Sequence, residues 1–381
     1  MFSATPARSR IGRVAGLAAV IATVALVAAG CGSSSNKSSG SASTSSSTSD
    51  SVAKAEQVVS QAMQRPSTIT VSQPVGKAVP SGKKVAFISC GVSVCQLQSQ
   101  IVAQAAKTLG WTTLTINTDG TPTSVQSAYD TAVRQGADAI VTTAALRAEI
   151  ASKIPMLKTK GVVVSDCCST DPVAPPFIYN TSTPAQAAEG GKILAAEVVA
   201  DSKGKANTLY VNLPAFTILS ALGAEFKSSY QQYCPTCGYA SIDVSLTQLA
   251  HAPNLIVSYL RSHPSVNYVA LSVANELDTG LPAALSAAGL SNVKIVGQGG
   301  GPTDFEYVAN GQELALLPFD YYNVDYQMVD ALARHFAGAP VQLTPPPNWL
   351  VTKENLPSSH SSLFSNVPGF RTQFLKLWGK Q

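Results

Sequence analysis

The sequence predicts an α/β protein with two doubly wound parallel sheets. From Lys84 onward, short β-branched runs alternate with segments of helical period, which is the pattern of parallel βα units. The alternation gives about nine strands, and roughly 300 residues follow the N-terminal tract, more than one core usually holds. A single eight-unit barrel is the alternative, but a long passage at Tyr179–Thr183 and a pause at Pro318–Phe319 favour two sheets.

The chain begins with a predicted export signal. Three arginines precede an uncharged apolar run from Val14 to Ala29, which is the layout of a secretory signal. Ala28–Cys31 resembles a bacterial lipobox, in which the cysteine receives lipid and becomes the new N terminus. We therefore expect residues 1–30 to be removed and Cys31 to anchor the chain to the membrane. A membrane-spanning anchor is the alternative, but 16 apolar residues fall short of the about 20 that a span needs.

Residues 31–83 are expected to form a Ser-rich tether. Ser33–Ser51 consists almost entirely of Ser, Thr, Gly, Ala and Asn, which bury too little apolar surface to offset the entropy of ordering. Val52–Met63 could form a short helix, and prolines interrupt the rest of the approach to the first strand.

The charge of the chain gives no indication of a nucleic-acid partner. The formal net charge is +4, and three of these charges belong to the signal arginines, so the mature chain carries about +1. Such near-neutrality provides no electrostatic attraction to nucleic acid. A signal and a serine tract precede the first strand, where a DNA regulator would need a helix-turn-helix, so regulation of DNA is excluded.

Four βα units come first. Apolar residues recur at steps of three and four from Val94 to Leu109, which predicts one face of a helix, and Gly110 ends it. Two further helices are predicted near Ser124–Arg134 and Ala148–Lys158. The four predicted strands are Lys84–Ser89, Trp111–Asn117, Asp138–Thr142 and Gly161–Ser165.

A second series opens at Thr183–Gln186. Its residues are those of an N-cap, a proline in the first helical position and a capping-box glutamine, and the helix is expected to reach Ala200. The strands predicted after it are Thr208–Asn212, Ala240–Val244, Tyr268–Val273, Val293–Val296 and Leu314–Leu317, with helices near Ile218–Gln231, Pro253–Arg261, Leu277–Ala288 and Thr303–Ala309.

Five short motifs follow one another in a definite order: Lys84–Ser89, Gln135–Ile140, Gly161–Asp166, Ser272–Glu276 and Ile295–Gly297. Together they make residues 84 to about 355 resemble the type I periplasmic binding proteins, specifically the ribose and galactose group of ABC-transporter solute receptors. The resemblance implies two lobes joined by three crossings. It also implies a small ligand in the cleft between the lobes, where strands end.

The same resemblance implies the domain boundaries and the partners. The N-terminal lobe would take residues 84–180 plus 319–348, and the C-terminal lobe would take 181–318 plus 349–381. Ligand contact with both lobes favours a closed form, which the permease of an ABC importer would recognise. A membrane sensor is the alternative partner. We expect a monomer that is not an enzyme and needs no cofactor.

Alignment of strand ends with the family implies the ligand-binding residues. Asp166 falls where sugar-binding members place a carboxylate, Asn275 where they place an amide, and Asp320 near their hinge-side polar group; such groups suit hydroxyl recognition. The structural alternatives are a loop-capping aspartate, a helix N-cap and a surface turn, respectively. The other residues expected at the cleft are Gln298, Phe216, Phe319, Val94 and Cys95.

The sequence also departs from the sugar-binding pattern. The first loop, Cys90–Cys95, lacks the aromatic residues that stack on a sugar ring. An arginine expected in the second lobe is replaced by Ser220 or Leu222, and a carboxylate expected after the ninth strand is replaced by Gln298. Four aromatic residues could line the cleft instead: Phe216, Phe319, Tyr321 and Tyr322. A less polar or partly aromatic ligand would then be favoured. The alternative is that these residues pack in the core or the hinge.

Cys234 and Cys237 lie in a loop and are expected to pair with each other, because an exported protein meets an oxidising compartment. The alternative is a thiol-redox protein, since such spacing lowers a thiol pKa where it opens a helix after a strand. Here the pair follows a predicted helix, so the loop disulfide is favoured. The four histidines show no zinc-ligand spacing, and no metal site is expected.

The other four cysteines allow several pairings. We favour Cys90 with Cys95. Either of them could also reach Cys167 and Cys168, because the first and fourth strands are expected two places apart, roughly 10 Å. A bridge between the adjacent Cys167 and Cys168 would be strained, since their α-carbons lie about 3.8 Å apart. We expect all three pairs to be oxidised in the exported protein.

Overall fold

The structure is a computed structural model that describes residues 42–380, with side chains from residue 49 onward. The predicted signal and Cys31 lie outside the described residues. Two separate sheets are present, which excludes the barrel alternative and confirms the predicted α/β fold class. Within residues 42–380, no helix combines the length and the apolar character that a membrane crossing requires.

The first part of the described chain builds a five-stranded sheet, with elements α1 (Ala42–Ala62), β1 (Lys84–Ile88), α2 (Ser93–Thr108), β2 (Thr112–Ile116), α3 (Pro122–Arg134), β3 (Ala139–Thr143), α4 (Ile154–Lys160), β4 (Val163–Cys167) and β5 (Phe177–Thr181). All strands are parallel, in the order β2-β1-β3-β4-β5. The first and fourth strands therefore lie two places apart, as predicted. Apolar residues of α3 and α4 cover one face of this sheet.

The second part builds a six-stranded sheet, with elements α5 (Pro184–Ser202), β6 (Asn207–Asn212), α6 (Ile218–Tyr233), β7 (Gly238–Asp243), α7 (Ala252–Ser262), β8 (Tyr268–Leu271), α8 (Ala274–Leu277), α9 (Leu281–Ala287), β9 (Lys294–Gly299), α10 (Pro302–Asn310), β10 (Ala315–Pro318), α11 (Tyr321–Ala337), β11 (Val351–Thr352) and α12 (Phe370–Leu377). The order is β11-β10-β9-β8-β6-β7, and β11 alone among these strands is antiparallel. Helix α11 returns to the first sheet and packs on α2, β4 and β5.

Close packing of α5 on α6 depends on a glycine. A Cβ atom added at Gly191 would lie 2.2 Å from the Leu222 carbonyl oxygen, so a side chain would force the helices apart. The predicted capping box at the start of α5 is wrong. Thr183 is the N-cap residue but its side chain caps nothing, and the Gln186 Nε2 donates instead to the Pro346 carbonyl at 2.7 Å.

Several elements differ from the sequence prediction. Strand β5 was not predicted, and it extends the first sheet beyond β4. The helix expected over Ala148–Lys158 begins as a 3-10 turn at Ala151–Lys153 and continues as α4. The helix expected over Leu277–Ala288 begins only at Leu281, as α9, because Gly280 before it adopts φ +80°; the separate short helix α8 ends at Leu277.

The chain passes between the two sheets more often than the three crossings that the family resemblance implied. Those three are residues 182–183, 319–320 and 338–350. A fourth is residues 63–83. Before this segment, the Lys203 Nζ of the second lobe donates to Glu56 of α1 at 2.7 Å. At its end, the indole of Trp111, in the first lobe, donates to the Pro80 carbonyl.

The C-terminal tail makes the fifth crossing. Strand β11 pairs with β10 of the second sheet, but Trp378, the C-cap residue of α12, donates to Asp330 of α11 at 2.8 Å and stacks on Tyr326. The expectation that residues 349–381 belong to the second lobe is therefore wrong for α12. This helix packs on the first lobe through its apolar side chains and the Trp378 indole.

The expected tether over residues 31–83 is also wrong in its described part. Helix α1 begins at Ala42, inside the serine tract. Beyond it, Ile69, Val71, Val75 and Val79 are buried in the core, because the tertiary contacts supply the apolar burial that the local composition lacks.

Candidate functional site

A cavity of about 110 Å³ lies between the two lobes, and we call it the cleft cavity. Residues at or after the carboxyl ends of β1, β3, β4 and β5 line it from the first lobe, and residues at or after the carboxyl ends of β6, β8, β9 and β10 line it from the second. The carboxyl ends of both parallel sheets therefore face the same space, which is where open α/β sheets bind ligands.

Most of the cavity wall is apolar. Three aromatic residues contribute to it, namely Phe216 after β6, Phe319 after β10 and Tyr321 at the start of α11. The rings of Phe319 and Tyr321 are tilted against each other with centroids 4.9 Å apart. The remaining apolar lining residues are mainly aliphatic or proline: Val92, Val94, Ala144, Ala187, Ile218, Leu219, Val273, Pro318, Val324, Pro346 and Pro347.

A buried hydrogen-bond network contributes Gln98 and Thr143 to the cavity. The Thr143 hydroxyl donates to the Gln98 Oε1 at 3.0 Å, and the Gln98 Nε2 donates to the Asp325 Oδ1 at 3.0 Å. Burial raises the pKa of Asp325. Sequence reasoning missed Gln98, although its position within the apolar stripe of α2, four residues after Val94, was a usable signal.

Glu276 of α8 brings a carboxylate to the cavity and connects the lobes. It accepts a hydrogen bond from the Ser93 hydroxyl of α2 at 2.8 Å, and a weaker one from the Asn275 amide at 3.3 Å. Burial raises the pKa of Glu276. Glu276 lies within Ser272–Glu276, one of the motifs that carry the family resemblance, but the alignment of strand ends does not mark it as a ligand-binding residue.

Asp320 lines the cavity at the second crossing, but its oxygens already have protein partners. The Oδ1 accepts from the Asn323 amide at 3.1 Å and so caps α11. The Oδ2 accepts from the Ser365 hydroxyl at 2.8 Å and the Asn366 amide at 3.0 Å. Burial raises the pKa of Asp320 to about 6, against the effect of these hydrogen bonds. The surface-turn alternative does not hold, because only 4% of the residue is exposed.

Five of the eight expected cleft residues line the cavity: Val94, Phe216, Gln298, Phe319 and Asp320. The segment Gly297–Gly301, which we call the glycine loop, brings backbone to the cavity wall at Gly299. Of the four aromatic residues considered, Tyr322 does not contribute; its ring packs on Phe370 with centroids 5.2 Å apart. Cys95 is fully buried and does not line the cavity, whereas its disulfide partner Cys90 does.

Asp166 does not line the cavity. Strand β4 runs to Cys167, two residues further than predicted, so side-chain alternation turns Asp166 to the opposite face from Ser165 and Cys167. The Ser165 hydroxyl donates to the Met328 carbonyl of α11. Asp166 lies instead near Tyr129, and burial raises its pKa. No described residue forms a hydrogen bond with its Oδ1.

Asn275 also lies outside the cavity wall. Helix α8 begins at Ala274 with Val273 as its N-cap, so Asn275 is neither in a loop nor the N-cap that we considered. Its Oδ1 accepts from the Gly300 amide at 3.2 Å and from the Tyr321 hydroxyl at 3.5 Å. Asn275 therefore positions the glycine loop and a ring of the cavity.

The structure contains the disulfides Cys90–Cys95 and Cys234–Cys237, which are the two pairings that the sequence favoured. The expected third pair is wrong, since Cys167 and Cys168 are buried free thiols; adjacent α-carbons are too close for an ordinary bridge. Cys168 lines the cavity, and burial raises the pKa of its thiol. No group of His, Cys, Asp and Glu suited to a metal ion occurs among residues 42–380.

The comparisons with known proteins agree with this architecture. No curated protein is similar in sequence to the chain. Among solved structures, a sugar ABC transporter protein of Yersinia enterocolitica is 16% identical with a TM-score of 0.66, covering 79% of this chain and 96% of that one. The 5-methylthioribose transporter solute-binding protein of Thermotoga lettingae is 20% identical with a TM-score of 0.65, covering 81% and 95%.

An ABC sugar transporter subunit of Rhodobacter sphaeroides is 22% identical with a TM-score of 0.63, covering 72% of this chain and 99% of that one. These likenesses show the type I fold. The sequence profile described as periplasmic binding protein domain matches residues 91–340, well over half of the chain. The chain therefore belongs to the periplasmic binding protein family, whose members are solute-binding proteins and not enzymes.

Proposed function

We propose that this chain is an extracytoplasmic solute receptor that captures a small molecule between its lobes and delivers it to an ABC importer. The observation that carries the proposal is the cleft cavity, to which both sheets and the crossings contribute side chains. Two proteins that share the fold are a sugar transporter subunit and the solute-binding protein of a 5-methylthioribose transporter. A sugar is therefore one candidate ligand, although the apolar wall favours a less polar molecule.

Contacts between the lobes support capture by closure. The Ser93 hydroxyl of the first lobe donates to Glu276 of the second at 2.8 Å. The hydroxyls of Thr170 and Thr217 approach to 3.5 Å between the loops after β4 and β6. A ligand that contacts both lobes would stabilise this arrangement by its differential affinity for it.

The lipobox-like sequence at Cys31 supports attachment to the outer face of the cell membrane, and the importer permease would then meet the receptor there. We further propose that the receptor acts as a monomer. Replacement of Cys31 by alanine is expected to move the protein from the membrane fraction to the medium. Genes for a permease and an ATPase beside the receptor gene would support uptake, whereas a kinase gene would support the sensor alternative.

A ligand screen on the purified full chain tests the proposed function. Sugars, polyols and small aromatic molecules are compared by thermal shift, and each hit is examined by small-angle X-ray scattering. We expect a hit to raise the unfolding temperature and to reduce the radius of gyration. Phe319→Ala should weaken that hit, whereas Phe336→Ala, outside the cavity wall, should leave its affinity unchanged. Equal loss in both variants, or a hit without compaction, would contradict binding in the cleft.

A further inference from the structure

The charged groups at the cleft cavity share one sign. Glu276 and Asp320 are the charged residues in its described wall, which contains no lysine, arginine or histidine. Asp325 lies behind Gln98 and accepts from its Nε2, but burial raises its pKa and so opposes a negative charge there. Arg65 is close enough to Asp320 to interact with it, but its guanidinium donates to the carbonyls of residues 365 and 366, outside the cavity.

Two oxygen atoms at the cavity have unused hydrogen-bonding capacity. Ser182 is 7% exposed, and its hydroxyl is buried with no hydrogen-bond partner among the described residues. The Gln186 Oε1 is likewise buried and unpartnered there, and both residues line the cavity. Buried oxygens without donors are costly, so a ligand that donates hydrogen bonds would be favoured.

The aromatic residues provide a second attraction of the same kind. Phe216, Phe319 and Tyr321 line one cavity with the two carboxylates. The face of an aromatic ring carries negative electrostatic potential and attracts cations. The carboxylates, the free oxygens and the rings therefore all favour positive charge in the same small space.

We propose that the ligand of the cleft cavity is a small organic cation, a protonated amine with an apolar body. This inference rests on the proposed solute-binding function and names its substrate class. The ammonium group donates to oxygens of the cavity wall, with Glu276 as its charged partner, and the apolar body contacts the rings and the aliphatic wall. A polyol would place several hydroxyls against that wall without partners, and an anion would be repelled by the carboxylates.

Four probes on the full chain test the proposal by calorimetry: benzylamine, benzyl alcohol, benzoate and myo-inositol. The first three share a ring and differ in charge. We expect benzylamine to bind at least about tenfold more tightly than benzyl alcohol, since charged hydrogen bonds are about twice as strong as neutral ones, and benzoate to bind most weakly. If myo-inositol or benzyl alcohol binds as tightly as benzylamine, the cation inference fails while the solute-binding function stands. Absence of benzylamine binding also overturns it.

Glu276→Gln separates charge from shape, because the amide oxygen can still accept from Ser93. We expect the variant to lose about tenfold in benzylamine affinity and to keep its benzyl alcohol affinity. Glu189→Gln removes the same charge from an exposed position of α5 and should change neither affinity. Unchanged benzylamine binding by Glu276→Gln contradicts the proposal. If that variant does not fold, the comparison of the amine with the alcohol on the unaltered chain still decides the question.

Discussion

At the scale of single residues, Asp320 joins two distant parts of the chain. Its carboxylate accepts from Asn323 at the start of α11 and from Ser365 and Asn366 in the tail. We expect Asp320→Ala to lower the free energy of unfolding by about 1 to 3 kcal/mol, since buried donors lose their acceptor. Urea unfolding followed by circular dichroism measures this loss. Asp243→Ala, at an exposed position of β7, serves as the control, and equal stability of the two variants would contradict the prediction.

A group of buried carboxyl side chains in the second lobe should make stability depend on pH. Asp278 lies within hydrogen-bonding reach of Asp304 and Glu313, and each is 1% exposed. Burial, and then repulsion by the neighbouring carboxylates, raises the pKa of Asp278 and of Glu313. The folded state therefore binds more protons than the unfolded state, so the free energy of unfolding falls as pH rises from about 4 through the folded pKa values.

Glu313→Gln tests this pH dependence. The amide cannot ionise, so the variant should lose less stability than the parent between about pH 5 and about pH 8. At about pH 8 we expect it to be more stable by on the order of 1 kcal/mol, the energy of about one pKa unit. Unfolding temperatures at both pH values give the comparison, with exposed Glu354→Gln as the control. A variant as sensitive to pH as the parent would falsify the assignment.

The sequence located the aromatic residues of the cavity better than its polar ones. Phe319 directly follows β10 and Phe216 lies in the loop after β6, so a shift of one or two residues still leaves them at the carboxyl edge of a sheet. Asp166 was misplaced because strand alternation reverses its direction once β4 extends to Cys167. Gln98 and Glu276 were missed because their roles depend on contacts between lobes that local sequence patterns do not encode.

At the scale of elements, the parallel strands were predictable and the ends of the chain were not. The apolar cores of β1, β3 and β8 are buried and carry a strong local signal. Strand β5 contains Asn180 and follows two prolines, and its strand conformation depends on pairing with β4. Helices α1 and α12 are held by contacts with α5 and α11, which neither composition nor periodicity reveals.

Asn366 connects two of the crossings at this scale. Its Nδ2 donates to the Pro318 carbonyl at 3.3 Å and to the Pro347 carbonyl at 3.4 Å. We expect Asn366→Ala to loosen both segments, so that amide hydrogen exchange accelerates in residues 319–324 while the sheets stay protected. Gln373→Ala serves as the control variant, because it loses hydrogen bonds to Ser67 and Ile69, in a different crossing, residues 63–83. Exchange that rises equally throughout the first sheet would indicate global destabilisation instead.

At the scale of the whole molecule, five crossings limit how far the lobes can separate, and few polar contacts hold the cleft itself. The tail and residues 63–83 add two connections to the three that the family resemblance implied. Across the cleft, the contact of Ser93 with Glu276 and that of Thr170 with Thr217 involve exposed or partly exposed side chains. Exposed hydrogen bonds contribute about 0.5 to 1.5 kcal/mol each, so small changes should shift the balance between open and closed forms.

Ser93→Ala tests this balance directly. The variant removes the donor to Glu276, and a loss of about 1 kcal/mol corresponds to about a fivefold shift toward open forms. Small-angle X-ray scattering should show a larger radius of gyration, and a ligand that closes the cleft should bind correspondingly more weakly. Ser99→Ala removes a hydroxyl from the same helix, where it bonds only the Gln96 carbonyl among the described residues, and should change neither property. If both variants scatter as the parent does, the Ser93 contact does not govern closure, and the crossings alone must set the separation of the lobes.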